Sequence, residues 1–372
     1  MSSVQILLHP VRIMHFVTGG FSGATQVAID LALAAQQDGA NVVLVLRKKR
    51  NTQPERVEAL RARGLDVRVV SNWLHAWTVR ELRQLVREWK PDVFFAHGFS
   101  DHIWGRQAAV AEGVPQIFHV EHNSRERYTS RRLQQALALA PWTQASIGVS
   151  EGVKQSLLDR GFPAERCIAI PNGVDLTLFP QSEQPAQWSQ RSAKIVMASR
   201  FAKQKDQQTL IQALALLKAK GMTPILELAG GGSSRLRKKM EKLVQQLGLQ
   251  TQVHFLGSVS DLPQRLVQAQ IFVLSTHWEG MPLALVEGMA AGCACVGSRV
   301  VGVQEVIAHQ VNGLLVPESD AQALAQALEK LLIDTALAEQ LGMQARKDAL
   351  AQYGREHMWA RYQALMQRRP DL

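Results

Sequence analysis

The segment Ile271-Phe272-Val273-Leu274-Ser275-Thr276-His277-Trp278-Glu279-Gly280-Met281-Pro282-Leu283-Ala284-Leu285-Val286-Glu287-Gly288-Met289-Ala290-Ala291-Gly292 runs directly into Cys293-Ala294-Cys295-Val296-Gly297. Ile271–Leu274 is apolar throughout and too short for a helix, so it reads as a strand buried on both faces; 282–291 reads as a helix and Ala294–Gly297 as a second buried strand. Pro282 has no N–H to leave unsatisfied, which suits the first helical position. The loop 277–281 therefore delivers a ligand to a helix N-terminus, where free backbone N–H groups and the dipole favour phosphate and sugar oxygens. Glu279 falls in that loop and Glu287 in the second turn of the helix, so the two carboxylates can accept hydrogen bonds from different ends of one elongated ligand. Cys293 and Cys295 sit in the apolar run and read as small hydrophobes; with Cys167 they make three cysteines, which is no disulfide framework.

The same alternation extends outward in both directions. Lys194–Ala198, Ile225–Leu228, Val253–Leu256 and Gly313–Val316 read as further strands, separated by helical patterns at 206–220, 234–247, 261–269, 303–309 and 320–332. Upstream, Arg12–Val17, Val42–Leu46, Asp66–Val70, Asp92–Ala96, Gln116–Val120, Ala145–Val149 and Cys167–Ile170 alternate with helical stretches near 25–38, 55–63, 78–88, 101–112, 131–139 and 151–160. Phe179–Ser192, with Pro180, Pro185 and several Gln and Ser, has neither period and reads as a linker. After Asp334 the pattern is helical, with Pro370 as a stop. A chain of 372 residues exceeds one typical domain. The expectation is an α/β protein of two doubly wound domains, 1–180 and 193–350, facing across a cleft, with a helix at 351–372 returning to the first. Ligands of such sheets bind outside the carboxyl ends of the strands.

At 46 % hydrophobic and 20 % charged residues the composition is that of ordinary globular chains, so disorder is not indicated. The net charge of +10 is concentrated in Arg47-Lys48-Lys49-Arg50, in Arg125, Arg127, Arg131 and Arg132, and in Arg235, Arg237, Lys238, Lys239 and Lys242, clusters that attract phosphate-bearing partners when they are not simply solvated faces. The start, Met1 to Leu8, lacks the features of a signal peptide, and no apolar stretch reaches the ~18–20 residues needed to span a bilayer. A cytoplasmic location, at most peripheral on the inner face of the membrane, is expected.

Other candidates sit at the predicted carboxyl ends of strands. Arg200 and Lys205, in Ser199-Arg200-Phe201-Ala202-Lys203-Gln204-Lys205-Asp206, suit a pyrophosphate whose charge grows as a nucleotide leaves; ordinary surface cations are the competing reading. Gly230 and Gly231, in Ala229-Gly230-Gly231-Gly232, let a backbone approach a ligand closely, although a glycine run alone is weak evidence. Thr18-Gly19-Gly20-Phe21-Ser22-Gly23-Ala24-Thr25 is a second glycine-rich turn; it is not the Gly-x-Gly-x-x-Gly fingerprint, and Asp30 comes too early for a ribose acid, which disfavours a NAD enzyme. His97 follows one strand; in His119-Val120-Glu121-His122-Asn123 His119 is inside an apolar run and His122 beyond it, which favours His122 as the site residue over a structural histidine. Ser150–Lys154 and Pro171–Asp175 are given no catalytic role.

Two glutamates separated by seven residues, with Gly-x-Pro after the first, resemble the signature of the family-4 glycosyltransferases of the GT-B fold. The resemblance implies a retaining, metal-independent transferase in which Glu279 binds donor-sugar hydroxyls, Glu287 binds ribose hydroxyls, and Gly280, Met281, Pro282 and Leu283 hold sugar and phosphate. It implies that Arg200 and Lys205 neutralise the diphosphate, that Gly19, Gly20, Gly230 and Gly231 line the donor and that His122 lies near the sugar, with Val259–Leu262 around the base. The implied partners are a nucleotide-sugar donor, with uridine favoured over guanosine, and a glycan or lipid-linked acceptor of bacterial lipopolysaccharide or envelope polysaccharide. Arg47–Arg50 and Arg125–Arg132, with Tyr128, Trp73 and Trp77, would meet that acceptor at an anionic membrane surface. The chain departs from the family in having Ala40-Asn41 where Gly-His is usual, a matter of packing.

No Asp-x-Asp, P-loop, His-Glu-x-x-His or zinc-spaced cysteine set is present, so no cofactor or metal is expected. With retention implied by the resemblance and no carboxylate obviously placed as a nucleophile, the expected scheme is front-face attack in which the donor's own phosphate takes the acceptor hydroxyl proton. The competing classes are a GT-B epimerase or phosphorylase, and a non-enzymatic nucleic-acid-binding protein; no nucleic-acid recognition motif accompanies the charge.

Overall fold

The computed structural model describes residues 10–50, 52–126, 128–180 and 188–367. The start Met1 to Leu8, Arg127, the linker's Pro185 and the stop Pro370 lie outside these. The chain divides into two compact units, the first ending at Gly173 and resuming at Arg355, the second spanning Val174–Gly354.

The first unit runs β1 (Arg12–Thr18), α1 (Gly23–Gln37), β2 (Asn41–Arg47), α2 (Pro54–Ala62), β3 (Asp66–Val70), α3 (His75–Trp89), β4 (Val93–His97), α4 (Asp101–Ala111), β5 (Gln116–Glu121), α5 (Ser130–Ala138), β6 (Ala145–Gly148), α6 (Glu151–Leu158) and β7 (Cys167–Ala169). The second runs β8 (Ser192–Ala198), α7 (Gln207–Ala219), β9 (Ile225–Ala229), α8 (Ser234–Gln246), β10 (Val253–Gly257), α9 (Leu262–Gln268), β11 (Ala269–Leu274), α10 (Leu283–Ala290), β12 (Ala294–Ser298), β13 (Leu314–Val316), α11 (Ala321–Ile333) and α12 (Thr335–Gln352); α13 (Arg355–Gln367) belongs to the first unit.

Both sheets are parallel, ordered β3-β2-β1-β4-β5-β6-β7 and β10-β9-β8-β11-β12-β13. The order reverses between β1 and β4 in one and between β8 and β11 in the other. These are the switch points, where the loops leaving adjacent strands part in opposite directions and open a crevice. Helices cover both faces, which is why Ile271–Leu274 and Val42–Leu46 are apolar at every position.

α10 is fixed closely on its sheet. Gly288 faces Phe272 of β11 so tightly that a Cβ there would lie 2.6 Å from the ring. At its C-terminal end, Arg191 donates to the carbonyls of Ala291 (2.9 Å) and Gly292 (3.2 Å) and Arg346 donates to that of Ala290, so two cations satisfy the last turn. Only Leu283, Ala284 and Glu287 of this helix are not buried.

Three sequence expectations change. The units divide at Gly173/Val174 and Gly354/Arg355, not at 180/193 and 350/351, because Val174 pairs with Gly354 and its N–H donates to the Tyr353 carbonyl (2.9 Å), so the chain enters and leaves the second unit side by side. That pairing also separates α12 from α13, where the helical pattern appears continuous. The helix expected at 303–309 is absent: 301–306 is a series of turns, as its β-branched residues and Gly302, with φ +82°, disfavour a helix.

Candidate active site

In the second unit the loops leaving β8 and β11 are laced together across the switch point. Asp206 N–H donates to the Ser275 carbonyl (3.0 Å) and His277 N–H to that of Gln204 (2.8 Å). Asp206 in turn caps α7 through the Thr209 N–H (3.1 Å). The lacing brings Lys205 onto Glu279. The ammonium donates to one carboxylate oxygen, which also accepts from the Thr276 hydroxyl (2.7 Å), while the other oxygen accepts from Gln204 Nε2 (3.1 Å). Glu279 is only 5 % exposed, so these donors orient its carboxylate in a place with little water.

Gly280, Met281 and Pro282 continue as a buried loop, and Leu283 opens α10. Pro282 occupies the N-cap, one residue before the first-turn position expected for it. The N–H groups of Leu283 and Ala284 make no bond to protein among the described residues and lie on the one face of α10 that is not buried, with Glu287 a turn further along. Two amide donors and a carboxylate on one open helix face suit an anion at the amide end and hydroxyls at the carboxylate end.

Arg200 is exposed and has no side-chain partner among the described residues; its backbone carbonyl accepts from Gln207 Nε2 (3.1 Å). Gly230 and Gly231 have a structural duty that the glycine run alone does not reveal. A Cβ on Gly230, at φ +143°, would lie 2.1 Å from the Ser199 carbonyl, and Phe201 N–H donates to the Gly231 carbonyl (2.7 Å). The close backbone approach is thus made by the loop that carries Arg200.

The sequence reading missed the loop after β12. Ser298 Oγ accepts the Thr276 N–H (3.0 Å), and Gly302 lies against the Glu279–Gly280 backbone so closely that a Cβ would be 2.2 Å from the Gly280 oxygen. Its position at the carboxyl end of a central strand was the available signal. Gln204 and Thr276, which orient Glu279, were missed because only pairing between the two loops places them there.

In the first unit Gly19 closes the turn after β1: its N–H donates to the Arg47 carbonyl (2.8 Å), and a Cβ would meet that oxygen at 2.8 Å. Gly20 follows, partly exposed, and the Thr25 hydroxyl donates to the Thr18 carbonyl (2.8 Å) to fix the entry into α1. His97 is the last residue of β4 rather than the residue after it. His122 follows β5 directly, partly exposed, and its Nε2 meets His97 Nδ1 at 3.2 Å. Burial, with His119 as a minor cause, lowers the His122 pKa to about 3, so the ring is neutral near pH 7.

His119 is on the opposite sheet face and fully buried. There His102, His119 and Glu121 approach as a metal triad would, and His102 and Glu121 are already hydrogen-bonded to protein. Arg106 can only donate, so His102 Nδ1 (3.0 Å) accepts; His102 Nε2 then carries the proton and donates to the Tyr128 hydroxyl (2.7 Å), which donates to Glu121 (3.2 Å). Burial raises the Glu121 pKa to about 7, opposed by bonds from the His122 N–H and Tyr128. This network fastens both ends of the loop that carries His122.

Two members of the expected basic surface turn inward. Arg47 is buried, paired with Asp101 and placed over the Trp104 ring at 4.6 Å, and Tyr128 belongs to the network just described. Trp73 and Trp77 remain exposed, at 78 % and 46 %, with Leu74 between them at 56 %.

Two doubly wound parallel sheets in succession, each with its own switch point, are the architecture of the GT-B fold. Residues 21–178 match the model of Glycosyltransferase Family 4 and residues 179–348 that of Glycosyl transferases group 1. The chain belongs to this family. LpsE of Rhizobium meliloti, a lipopolysaccharide core biosynthesis glycosyltransferase, is 26 % identical over 97 % of this chain and 100 % of its own length. The UDP-Gal:alpha-D-GlcNAc-diphosphoundecaprenol alpha-1,3-galactosyltransferase of Escherichia coli is 26 % identical over 69 % of this chain and 70 % of its own. An exopolysaccharide phosphotransferase of Streptomyces coelicolor is 32 % identical over 64 % of this chain, but the match spans only a quarter (25 %) of that longer protein. Among solved structures, Anabaena HepE in complex with UDP-glucose superposes with a TM-score of 0.83 at 22 % identity, covering 95 % of this chain and 99 % of its own.

Proposed function

We propose that the chain transfers a sugar, with retention of configuration and without a metal, from a uridine diphosphate sugar to a hydroxyl of a lipid-linked or envelope glycan. The Lys205–Glu279 pair carries this reading: an ammonium and a carboxylate held together at a switch point, beside free first-turn amides, offer a diphosphate its cation and a sugar its hydroxyl acceptor. In this reading Lys205, Arg200 and the amides of Leu283 and Ala284 stabilise the departing diphosphate, Glu279 orients the sugar, Glu287 takes the ribose hydroxyls and His122 meets the donor sugar. Gly19 and Gly20 shape the first unit's turn toward the donor, and Gly280, Met281 and Pro282 set the loop. The donor's own phosphate accepts the acceptor proton on the front face. UDP-sugar in the name or complex of two similar proteins supports the base, and diphosphoundecaprenol in one name supports the acceptor class. Neither an epimerase, a phosphorylase nor a nucleic-acid-binding protein is among the relatives described. In a thermal-shift series UDP raises Tm, GDP and ADP much less, and EDTA changes nothing; stabilisation that EDTA abolishes would reject the metal-free scheme.

Among the described residues no helix is long and apolar enough to cross a membrane. The first unit nevertheless presents Trp73, Leu74 and Trp77 together at the start of α3, with Arg80 stacked on Trp77 at 5.8 Å and Arg83 and Arg87 further along the helix. Exposed aromatics beside cations suit the interface of an anionic bilayer on the cytoplasmic side, where a lipid-linked acceptor resides. Cosedimentation with vesicles containing phosphatidylglycerol should fall at least about fivefold in Trp73→Ser/Trp77→Ser, since each indole contributes roughly 1 kcal/mol or more of burial; unchanged cosedimentation removes the patch from the proposal.

A further inference from the structure

His15, His97 and His122 form a file of imidazoles along one face of the first sheet. His15 Nδ1 lies 3.0 Å from His97 Nε2, and His97 Nδ1 lies 3.2 Å from His122 Nε2. The register explains the alignment. His15 pairs with Phe95, two residues before His97, and His97 pairs with Val120, two before His122, so alternate residues of β1, β4 and β5 project to the same side. His15 and His97 are fully buried, and His15 stacks on the Phe95 ring at 5.0 Å. All three rings are kept neutral by burial, His15 down to about 3.

A neutral imidazole has one N–H and one bare nitrogen, so a file of three can run in only two directions. The far end decides between them. His15 Nε2 is buried with no hydrogen-bond partner. If the file donated inward, that nitrogen would carry a proton with no acceptor. If it donates outward, the nitrogen is a bare acceptor, and unpaired acceptors are tolerated in interiors better than unpaired N–H groups.

We infer that His97, backed by His15, is a positioning residue that fixes His122 as the tautomer bearing its proton on Nδ1, so that His122 serves the transfer as a neutral hydrogen-bond donor to a sugar oxygen. His97 Nδ1–H donates to His122 Nε2, and His122 Nδ1, which has no partner among the described residues, is left to donate to the ligand. In this state His122 has no free lone pair on its outer nitrogen and is not a general base. The inference rests on the proposed transferase reading for the identity of the ligand, not for the direction of the file.

The test is long-range nitrogen–proton NMR of the full chain labelled in histidine, with His122→Gln used to assign the signals, together with turnover and UDP affinity of two variants. His122 should show a protonated Nδ1 and a bare Nε2. His97→Asn keeps an amide donor near the position of the lost Nδ1 and should retain kcat within about threefold, whereas His97→Leu deletes the donor and should lower kcat about tenfold, the scale of one hydrogen bond, with UDP affinity unchanged. A proton on His122 Nε2 in the wild-type chain, or equal losses in the Asn and Leu variants, overturns the inference. Absence of UDP binding in the wild-type chain would instead overturn the donor reading and leave the NMR result to decide the direction of the file.

Discussion

Lys205→Met should lower kcat by about 10³-fold, near 4 kcal/mol of transition-state stabilisation, because two losses coincide at one residue. The first is the cation that the proposed scheme sets against the leaving diphosphate. The second is the cationic partner of Glu279, which is 5 % exposed and also accepts from Thr276 and Gln204. A buried carboxylate that loses its counter-charge is left uncompensated and tends to turn away, which removes it as an acceptor for the sugar. Lys205→Arg should recover only part of the activity, since a planar fork does not place its charge where a compact ammonium met the Glu279 carboxylate. The pairing also predicts strong non-additivity: adding Glu279→Gln to Lys205→Met should cost at most a few-fold more, because residues that act as a unit are lost together. Turnover in Lys205→Met within tenfold of wild type, measured with a UDP-sugar at saturation, would remove this pair from the mechanism.

Much of this arrangement is legible along the chain because it is local. β11, the loop 277–281 and α10 follow one another without interruption, so the apolar run, Pro282 and the two glutamates locate an amide-rich helix start with acids on either side. The parallel, doubly covered sheets follow equally from strands such as Val42–Leu46 that have no polar face. What escapes the sequence depends on register between strands far apart. Gln204 and Thr276 hold Glu279 only because two loops pair across the switch point, and Gly302 supports it only because β12 lies beside β11. Arg47 and Tyr128 look like surface residues in sequence, as part of basic, polar stretches, yet Asp101 and Glu121 draw them inward from other elements. The same limit applies to the unit boundary: Val174 and Gly354 are neighbours in space, and no local signal near Phe179–Ser192 reports that pairing.

Glu287→Ala should weaken UDP binding about 100-fold, or some 2.7 kcal/mol, and leave the fold almost untouched. The size follows from the acceptor lost: a carboxylate that takes two ribose hydroxyls makes two charged hydrogen bonds, each contributing about 1.5–3 kcal/mol, and the net is reduced by the water that replaces it. The small effect on the fold follows from its place. Glu287 is on the one face of α10 that is not buried, while the packing of that helix comes from Leu285, Val286, Met289 and Gly288 against Phe272, and its C-terminal end from Arg191 and Arg346. Tm without ligand should therefore move by only about 1–3 °C, as for a surface substitution. Calorimetric titration separates the roles of the two glutamates. Glu279→Gln should bind UDP, which carries no sugar, within about threefold of wild type, whereas Glu287→Ala should not, and the order reverses for the loss of kcat at saturating donor. If both variants lose UDP affinity alike, the two carboxylates share one end of the ligand, and the division of sugar and ribose along this helix start is wrong.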